Sequence, residues 1–316
     1  MNIKNITFLT AISLFLAGCD FELDYKDSST ASIPTTPTVA SFELLDPNAA
    51  ANNEFGSTTV TLANGNIVVA SPFDDTVASN AGAVHLYNPF TKTVIASFYG
   101  DDADDNIGLL YQGMSGSKFG IIALANNNFV IASANDDVNS VSNAGSVMLV
   151  NGATGAQIGT TLAGNTANDK LGMSSVTALG NNNFVIASMY DDDGASVTDA
   201  GSVMLINGAT GVQIGTTLAG NTANDKLGMS SVTALGNNNF VIASRDDDVN
   251  GVTNAGSIRQ IDTTGTQVSI IAGAATNDMS NISVTDASAH NFYVVSLSKF
   301  DNNSMTDSGL VRVVAY

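Results

Sequence analysis

A near-perfect duplication in the middle of the chain constrains its fold more than any other feature. Residues 201–244 repeat residues 145–188 at a shift of 56 positions, with two substitutions: Ile206 replaces Val150 and Val212 replaces Ala156. Two segments this similar adopt the same local structure, so the chain is predicted to be an array of repeated units. The fold is then decided by what one such unit forms.

Each unit contains four short stretches of β-branched and small residues, a composition typical of strands. In one unit these are residues 174–179, 183–188, 201–207 and 213–219. The first two are separated by residues 180–182, Gly-Asn-Asn, which tolerate the positive φ of a tight hairpin turn. The unit is therefore predicted to be a four-stranded antiparallel sheet.

Five copies of this unit can be aligned along the chain. Their second strands are predicted at residues 67–71, 129–133, 184–188, 240–244 and 292–296. Each third strand opens with a glycine, at position 82, 145, 201, 256 or 309. Four-stranded antiparallel units at this period are typical of the blades of a β-propeller.

The two ends of the array predict a closed ring. The last copy runs to Tyr316 without a fourth strand, whereas residues 38–42 resemble residues 93–98, the fourth strand of the first copy. We expect the N-terminal strand to complete the last blade, because closure removes exposed sheet edges. The predicted fold class is all-β: a five-bladed β-propeller of four-stranded antiparallel blades, closed by an N-terminal strand. The propeller occupies residues 38–316, with blades at about 38–53 plus 279–316, 54–117, 118–170, 171–226 and 227–278.

The N-terminal residues resemble the export signal of a bacterial lipoprotein. An apolar stretch at residues 6–16 is too short to span a bilayer as a stable helix. It ends in Leu-Ala-Gly-Cys, which resembles a lipobox, where the cysteine becomes the lipidated N-terminus. The resemblance implies a signal peptide at residues 1–18, a palmitate-type anchor on Cys19 and a polar tether at residues 19–37; the alternative is an ordinary signal peptide with a chance cysteine. We expect the anchor to hold the protein in the bacterial cell envelope, at the outer membrane or cell surface in preference to the inner membrane.

The net charge restricts the class of partner. The formal charge is −19, with only 10 lysines and arginines. A surface this acidic repels phosphate backbones, so nucleic-acid binding is excluded. It attracts cations or a basic partner, most strongly at low salt. The alternative is that the charge only keeps an exported protein soluble.

Short motifs at the start of each unit resemble FG-GAP repeats, the blades of the integrin α-chain propeller. They are Phe55-Gly56, Phe119-Gly120, Leu171-Gly172 and Leu227-Gly228, together with Val69-Ala70-Ser71-Pro72 and the third-strand run from Ala81 to Tyr87. The resemblance covers about residues 38–316 and implies a propeller. The family often binds Ca²⁺ in a loop between the first two strands. Here that loop is short and uncharged, so this calcium site is not carried over.

Acidic loops after the second strands are the strongest candidates for a binding site. In a propeller these loops and the connectors to the next unit emerge on one face. Paired carboxylates there suit Ca²⁺ or a basic partner, although aspartates also cap backbone N–H groups in turns. The candidate residues are Asp74, Asp75, Asp136, Asp137, Asp191, Asp192, Asp193, Asp246, Asp247 and Asp248, joined by Asp301 in the last copy. The connectors add Asp104, Asp105, Asp169, Asp225 and Asp278.

The histidines and aromatic residues do not indicate a catalytic site. His85 occupies a third-strand position that varies between copies, so we expect it to be exposed, and His290 falls in a hairpin turn. With one cysteine, predicted to be lipidated, no nucleophile–histidine pair is apparent, and no catalytic residue is predicted. The recurring second-strand phenylalanines are expected to be core residues between blades: Phe129, Phe184, Phe240 and Phe292.

The predicted function is non-catalytic binding or adhesion by a lipid-anchored propeller, with a protein or glycan ligand that the sequence does not identify. Two alternatives stay open. One is a periplasmic scaffold that assists the assembly of membrane complexes. The other is a propeller-type glycan lyase or hydrolase, for which aspartates would have to supply the acid and base.

Overall fold

The structure is a computed structural model that describes residues 41–109, 111–112, 118–192, 197–301 and 305–316. The chain divides into residues 1–43 and residues 44–316, and the strands of the described residues lie in the second unit. The predicted signal peptide, Cys19 and the tether fall outside the described residues. Within the described part, no helix has the length and apolarity needed to cross a membrane.

The regular structure of the described residues consists of short strands and a 3-10 turn at Ser288–His290. The strands are β1 (Thr58–Thr61), β2 (Ile67–Ser71), β3 (Ala83–Asn88), β4 (Thr93–Tyr99), β5 (Tyr111–Gln112), β6 (Lys118–Phe119), β7 (Ile121–Ala123), β8 (Asn128–Ser133), β9 (Ser146–Asn151), β10 (Gln157–Ala163), β11 (Ser175–Ala178), β12 (Phe184–Ser188), β13 (Ser202–Ile206), β14 (Gln213–Ala219), β15 (Ser231–Ala234), β16 (Phe240–Ser244), β17 (Ser257–Ile261), β18 (Gln267–Ala272), β19 (Ile282–Ala287), β20 (Phe292–Leu297) and β21 (Leu310–Ala315).

These strands form five successive sheets, in which neighbours in the chain pair antiparallel. Sheet 1 is β1 to β4, sheet 2 is β7 to β10, sheet 3 is β11 to β14 and sheet 4 is β15 to β18. Sheet 5 contains the three strands β19 to β21, and β5 pairs with β6 as a separate hairpin. The prediction of repeated four-stranded antiparallel sheets is thereby confirmed for four units, and the fold is β-propeller-like. The fifth unit has three strands in the described part of the chain.

The central strands bury both faces because successive side chains point to opposite sides of a strand. In β12, Phe184 and Ile186 pack in the core shared with sheet 2. Val185 and Ala187 pack in the core shared with sheet 4. Similar apolar cores lie between sheets 1 and 2 and between sheets 4 and 5. The hydrophobic core is therefore a series of layers between sheets, which explains why the second strands are apolar throughout.

The sheets follow one another through contacts between their first strands. β1 contacts β7, β7 contacts β11, β11 contacts β15, and β15 contacts β19. Among the described strands, β19 and β1 make no contact of comparable extent. Ring closure is therefore not shown. Of the predicted closing strand, residues 38–40 lie outside the described residues, and Ser41 and Phe42 are not in a strand.

In the four-stranded sheets, the glycine before the third strand is required by a close approach of the connector. Gly201 has φ +72°, a conformation that glycine adopts without strain. A Cβ at this position would lie 2.3 Å from the backbone nitrogen of Leu227 in the connector. The recurring third-strand glycine therefore lets the connector to the next unit pack directly on the strand.

Sheet 5 packs with a register that differs from the predicted one. Tyr293 is fully buried and belongs to the core shared with sheet 4, together with Val295. Phe292, predicted to be core, is only half-buried. A shift of one residue moves every side chain to the opposite face of a strand. The prediction for Phe292 was therefore wrong by one position, and Tyr293 takes the place held by Phe184 in sheet 3.

Residues 44–55, which we call the cap segment, cover the face of sheet 1 that has no preceding sheet. The Tyr87 hydroxyl donates to the carbonyl of Leu45 at 2.7 Å, and the Phe55 ring lies edge-on to Tyr87 at 6.1 Å. Under this cover His85 has no exposed surface. The expectation that His85 is exposed was wrong, because the cap segment supplies the packing that a preceding sheet supplies elsewhere.

Candidate functional site

The acidic loops and the connectors meet along one edge of the array, which we call the acidic edge. It comprises the loops after the second strands and the segments that lead to the next sheet. Its described loops fall within residues 72–82, 134–145, 189–201, 245–256 and 298–309, and its connectors are residues 100–108, 164–172, 220–228 and 273–280. Hydrogen bonds between loops and connectors show that the two sets are adjacent.

One aspartate in each connector joins its own turn to the next sheet. In the connector after sheet 3, Asp225 Oδ2 accepts the backbone N–H groups of Asn221 at 2.7 Å and Thr222 at 2.8 Å. Its Oδ1 accepts the N–H of Asp248, in the loop of sheet 4, at 3.0 Å. The same pattern recurs at Asp105, Asp169 and Asp278. These carboxylates are buried and act as acceptors for backbone donors.

A second recurring aspartate shapes the loop itself. Asp248 Oδ1 accepts the N–H of Asn254 at 2.7 Å, and Asn254 adopts φ +49°. This bond spans six residues and closes the loop onto itself. The equivalent bond is made by Asp75, Asp137, Asp192 and Asp301.

In each four-stranded sheet, the aspartate three residues after the second strand lies beside a third-strand position that is not the same residue in all sheets. These aspartates are Asp74, Asp136, Asp191 and Asp247. In sheet 4, Arg259 donates to Asp247 Oδ2 at 2.7 Å, and the hydroxyl of Ser257 donates to the same carboxylate. Asp247 has no exposed surface, so Arg259 is its counter-ion within the fold. The ladder register places Met148, Met204 and His85 at the position of Arg259 in the other four-stranded sheets.

Asp136, the first loop aspartate of sheet 2, has no such arginine because Met148 takes its place. Carboxylate oxygens of Asp101, Asp105 and Asp136 lie within 4.8 Å of one another. Burial raises the pKa of Asp136 to about 6, and the neighbouring carboxylates add to this effect. Burial also raises the pKa of Asp105. Three acidic groups in one place favour any cation that can reach them.

A cavity of about 350 Å³ between sheets 1 and 2 gives access to two of these carboxylates, Asp101 and Asp136. Its lining includes Tyr99, Asp101, Asp136 and Met148. The hydroxyl of Ser133 also lines it, is buried, and has no hydrogen-bond partner among the described residues. The cavity therefore offers anionic oxygens, a free hydroxyl and an aromatic wall, which are groups suited to an ammonium, a guanidinium or a metal ion.

The remaining predicted residues divide between this edge and the surface. Asp74 is buried beneath the cap segment, whereas Asp75 is exposed. Asp191 accepts from the hydroxyl of Ser202, Asp246 pairs with Arg245 at 3.2 Å, and Asp193 lies outside the described residues. Sequence reasoning did not identify Asp46 or Ser133, and it interpreted the varying third-strand position of His85 and Met148 as an exposed site without a role in binding. The exchange of Met148 for Arg259 between copies was the signal that could have identified that position.

Comparison with known proteins finds a repeat family along part of the chain. A family model described as "Repeat of unknown function (DUF5650)" matches residues 61–108, 123–173 and 178–229. Each match runs from the end of a first strand to the following connector, so the family repeat coincides with the repeated sheets. A search of curated proteins found no match. A solved structure entitled "Crystal structure of the eukaryotic initiation factor" is similar with 9% identity and a TM-score of 0.46, covering 83% of this chain and 54% of that one. The chain thus spans about half the length of that structure's chain.

Proposed function

We propose that the protein is a non-catalytic binding and adhesion module of the bacterial cell envelope, held by a lipid on Cys19, and that its acidic edge binds cationic groups of a ligand. One observation carries the proposal: Asp101 and Asp136 line the cavity between sheets 1 and 2 and converge with the buried Asp105, at the position where sheet 4 supplies its own arginine. The closed five-bladed ring and the resemblance to FG-GAP repeats form part of the same proposal.

Sheet 4 serves as an internal model for this binding. The guanidinium of Arg259 shows that a cation fits beside Asp247 and that the hydroxyl at Ser257 complements it. Sheet 2 keeps the aspartate, Asp136, and the hydroxyl, Ser146, but replaces the arginine with Met148. A lysine or arginine side chain of a partner would therefore meet the surroundings that Arg259 meets in sheet 4. Charge-assisted bonds of this kind are about twice as strong as neutral ones.

The binding test uses the purified full chain in detergent and a hexalysine peptide as the probe. Met148→Arg places an arginine of the chain itself beside Asp136, where the partner's cation would bind, and is therefore expected to abolish binding of the peptide. Met204→Arg, at the equivalent position of sheet 3, is the matched control: the connector there has Asn165 in place of Asp101, so the third carboxylate is missing and binding should be unchanged. Two results would contradict the proposal. One is equal binding of the peptide by the wild type and both variants, and the other is binding by the wild type that is absent or does not weaken when salt is added.

Display on the cell is tested separately. Intact cells are treated with protease, and the chain is detected with an antibody against residues 201–244. Loss of the signal supports adhesion at the surface. Protection until the cells are lysed supports the periplasmic scaffold instead.

A further inference from the structure

Sheet 1 departs from the other sheets at three equivalent positions. His85 lies where sheet 4 has Arg259, and Ala83 lies where that sheet has Ser257. In the cap segment, Asn53 precedes Phe55-Gly56 at the spacing by which Asp225 precedes Leu227-Gly228. In sheet 4, Asp247 is paired with an arginine and a serine of the same sheet. Sheet 1 has instead a histidine, an amide and an additional carboxylate from Asp46.

Asp46, Asp74 and His85 converge beneath the cap segment. Each offers a ligand atom, and these atoms lie within 4.8 Å of one another. Asp74 and His85 are buried, and Asp46 is half-buried. The side-chain nitrogen of Asn53 donates to Asp46 Oδ2 at 3.1 Å and to Asp74 Oδ2 at 3.2 Å, which holds the two carboxylates side by side.

Two buried atoms of this cluster have no hydrogen-bond partner among the described residues. They are Nε2 of His85 and Oδ1 of Asn53. The other ring nitrogen of His85, Nδ1, lies 2.8 Å from the hydroxyl of Ser97. If Nδ1 carries the proton and donates to Ser97, Nε2 keeps a free lone pair, which is the arrangement of most metal-binding histidines. Burying such an atom without a partner is unfavourable, and a bound ion would offset that cost.

We infer that Asp46, Asp74 and His85 Nε2 bind a divalent first-row transition-metal ion of the Zn²⁺ class, with Asn53 Oδ1 available as a fourth ligand. An imidazole nitrogen with carboxylate oxygens is a donor set typical of zinc and its neighbours. Ca²⁺ prefers six to eight oxygen ligands and is disfavoured here.

The geometry requires only a small adjustment. Ligand atoms around one tetrahedral Zn²⁺ ion lie about 3.4 Å apart, as follows from metal–ligand bonds of about 2.1 Å. Asp46 belongs to the cap segment, outside any strand, and can move without breaking a ladder bond. The ion would then link the cap segment to the loop after β2 and to β3, so metal binding would fix the cap segment on sheet 1.

The inference is tested on the untagged full chain after treatment with EDTA and dialysis. Equilibrium dialysis with ZnCl₂ measures stoichiometry and affinity, and substitution with Co²⁺ gives a visible spectrum that reports nitrogen and oxygen ligation. Limited proteolysis of the cap segment, with and without Zn²⁺, reports its attachment. We expect one tightly bound ion in the wild type and slower cleavage of the cap segment when the ion is present.

The variants separate this site from other zinc ligands. His85→Gln removes the nitrogen ligand, and Asp46→Asn changes a half-buried side chain that the fold tolerates more easily. Each should weaken the binding by at least about tenfold. His290→Asn, which removes the exposed histidine and inserts the residue of the other copies, is the matched control and should keep the wild-type affinity. Absence of a stoichiometric ion in the wild type, or full retention of it by both His85→Gln and Asp46→Asn, would overturn the inference.

Discussion

The connector aspartates predict a specific stability loss, which Asp225→Ala measures most directly. Asp225 is fully buried and accepts three backbone N–H groups, two in its own turn and one from Asp248 in the next sheet. Alanine would leave these three donors without an acceptor. Each unsatisfied buried donor costs about 1–3 kcal/mol, and water entering the vacated space recovers part of this, so we expect a loss of about 4 kcal/mol.

Two further variants make the measurement selective. Asp225→Asn keeps one acceptor oxygen but turns an N–H group toward a donor, and should cost about half as much. Asp246→Ala removes a surface ion pair with Arg245 and should cost less than about 1 kcal/mol. The expected order of unfolding free energies is therefore wild type, Asp246→Ala, Asp225→Asn, Asp225→Ala.

Scanning calorimetry is the suitable assay, because units of a repeat array can unfold in more than one step. A loss of about 4 kcal/mol corresponds to a fall in melting temperature of about 10 °C for a chain of this size. The reasoning is refuted if Asp225→Ala melts at the temperature of Asp246→Ala. In that case the buried carboxylate would contribute no more than a surface charge.

Three other predictions follow from features described above. Cys19→Ala should abolish incorporation of radiolabelled palmitate in growing bacteria, whereas labelling that persists would exclude a lipid on this residue. Deletion of residues 20–44 should lower the melting temperature if the N-terminal strand completes sheet 5, and an unchanged melt would exclude closure. The pKa of Asp136 is raised to about 6, which means that the folded state disfavours the ionised carboxylate. The contribution of the protonated carboxyl to folding stability is therefore fully present below pH about 4 and is lost as the pH rises through 6. Asp136→Asn should therefore be more stable than the wild type at pH 7 by about 1 kcal/mol, after allowance for partial exposure, and equally stable at pH 4; urea titrations at both pH values check this.

The repeated sheet was predictable from sequence because its determinants lie within one unit. The hairpin turn illustrates this, since Asn182 adopts the positive φ of 70° that its residue type favours. The face assignment in sheet 5 was not predictable in the same way. There the 3-10 turn Ser288–His290 connects β19 to β20, and the core residue moved from Phe292 to Tyr293. A shift of one position leaves no trace in composition, but it exchanges the two faces of a strand.

The candidate sites were only partly predictable. The repetition of aspartates indicated an acidic edge, and the hydrogen bonds place the loops and connectors together there. The bonds themselves could not be read from sequence, because the donors are backbone N–H groups, such as that of Asp248, which carry no residue-specific pattern. His85 was misjudged for a related reason. Its burial depends on the cap segment, which lies 30 or more residues before it in the chain and has no strand periodicity.

The position of the cap segment has a mechanical consequence. Tension applied through the residues before Leu44 reaches the folded unit at this segment, which is attached to sheet 1 by side-chain contacts and not by a ladder of strand bonds. Side-chain attachments of this kind yield one after another, whereas a ladder in shear resists as a group. Under load the cap segment would detach first and lengthen the chain between the point of pulling and sheet 1, while the sheets stay folded. It would act as an extensible link between a fixed point and the array.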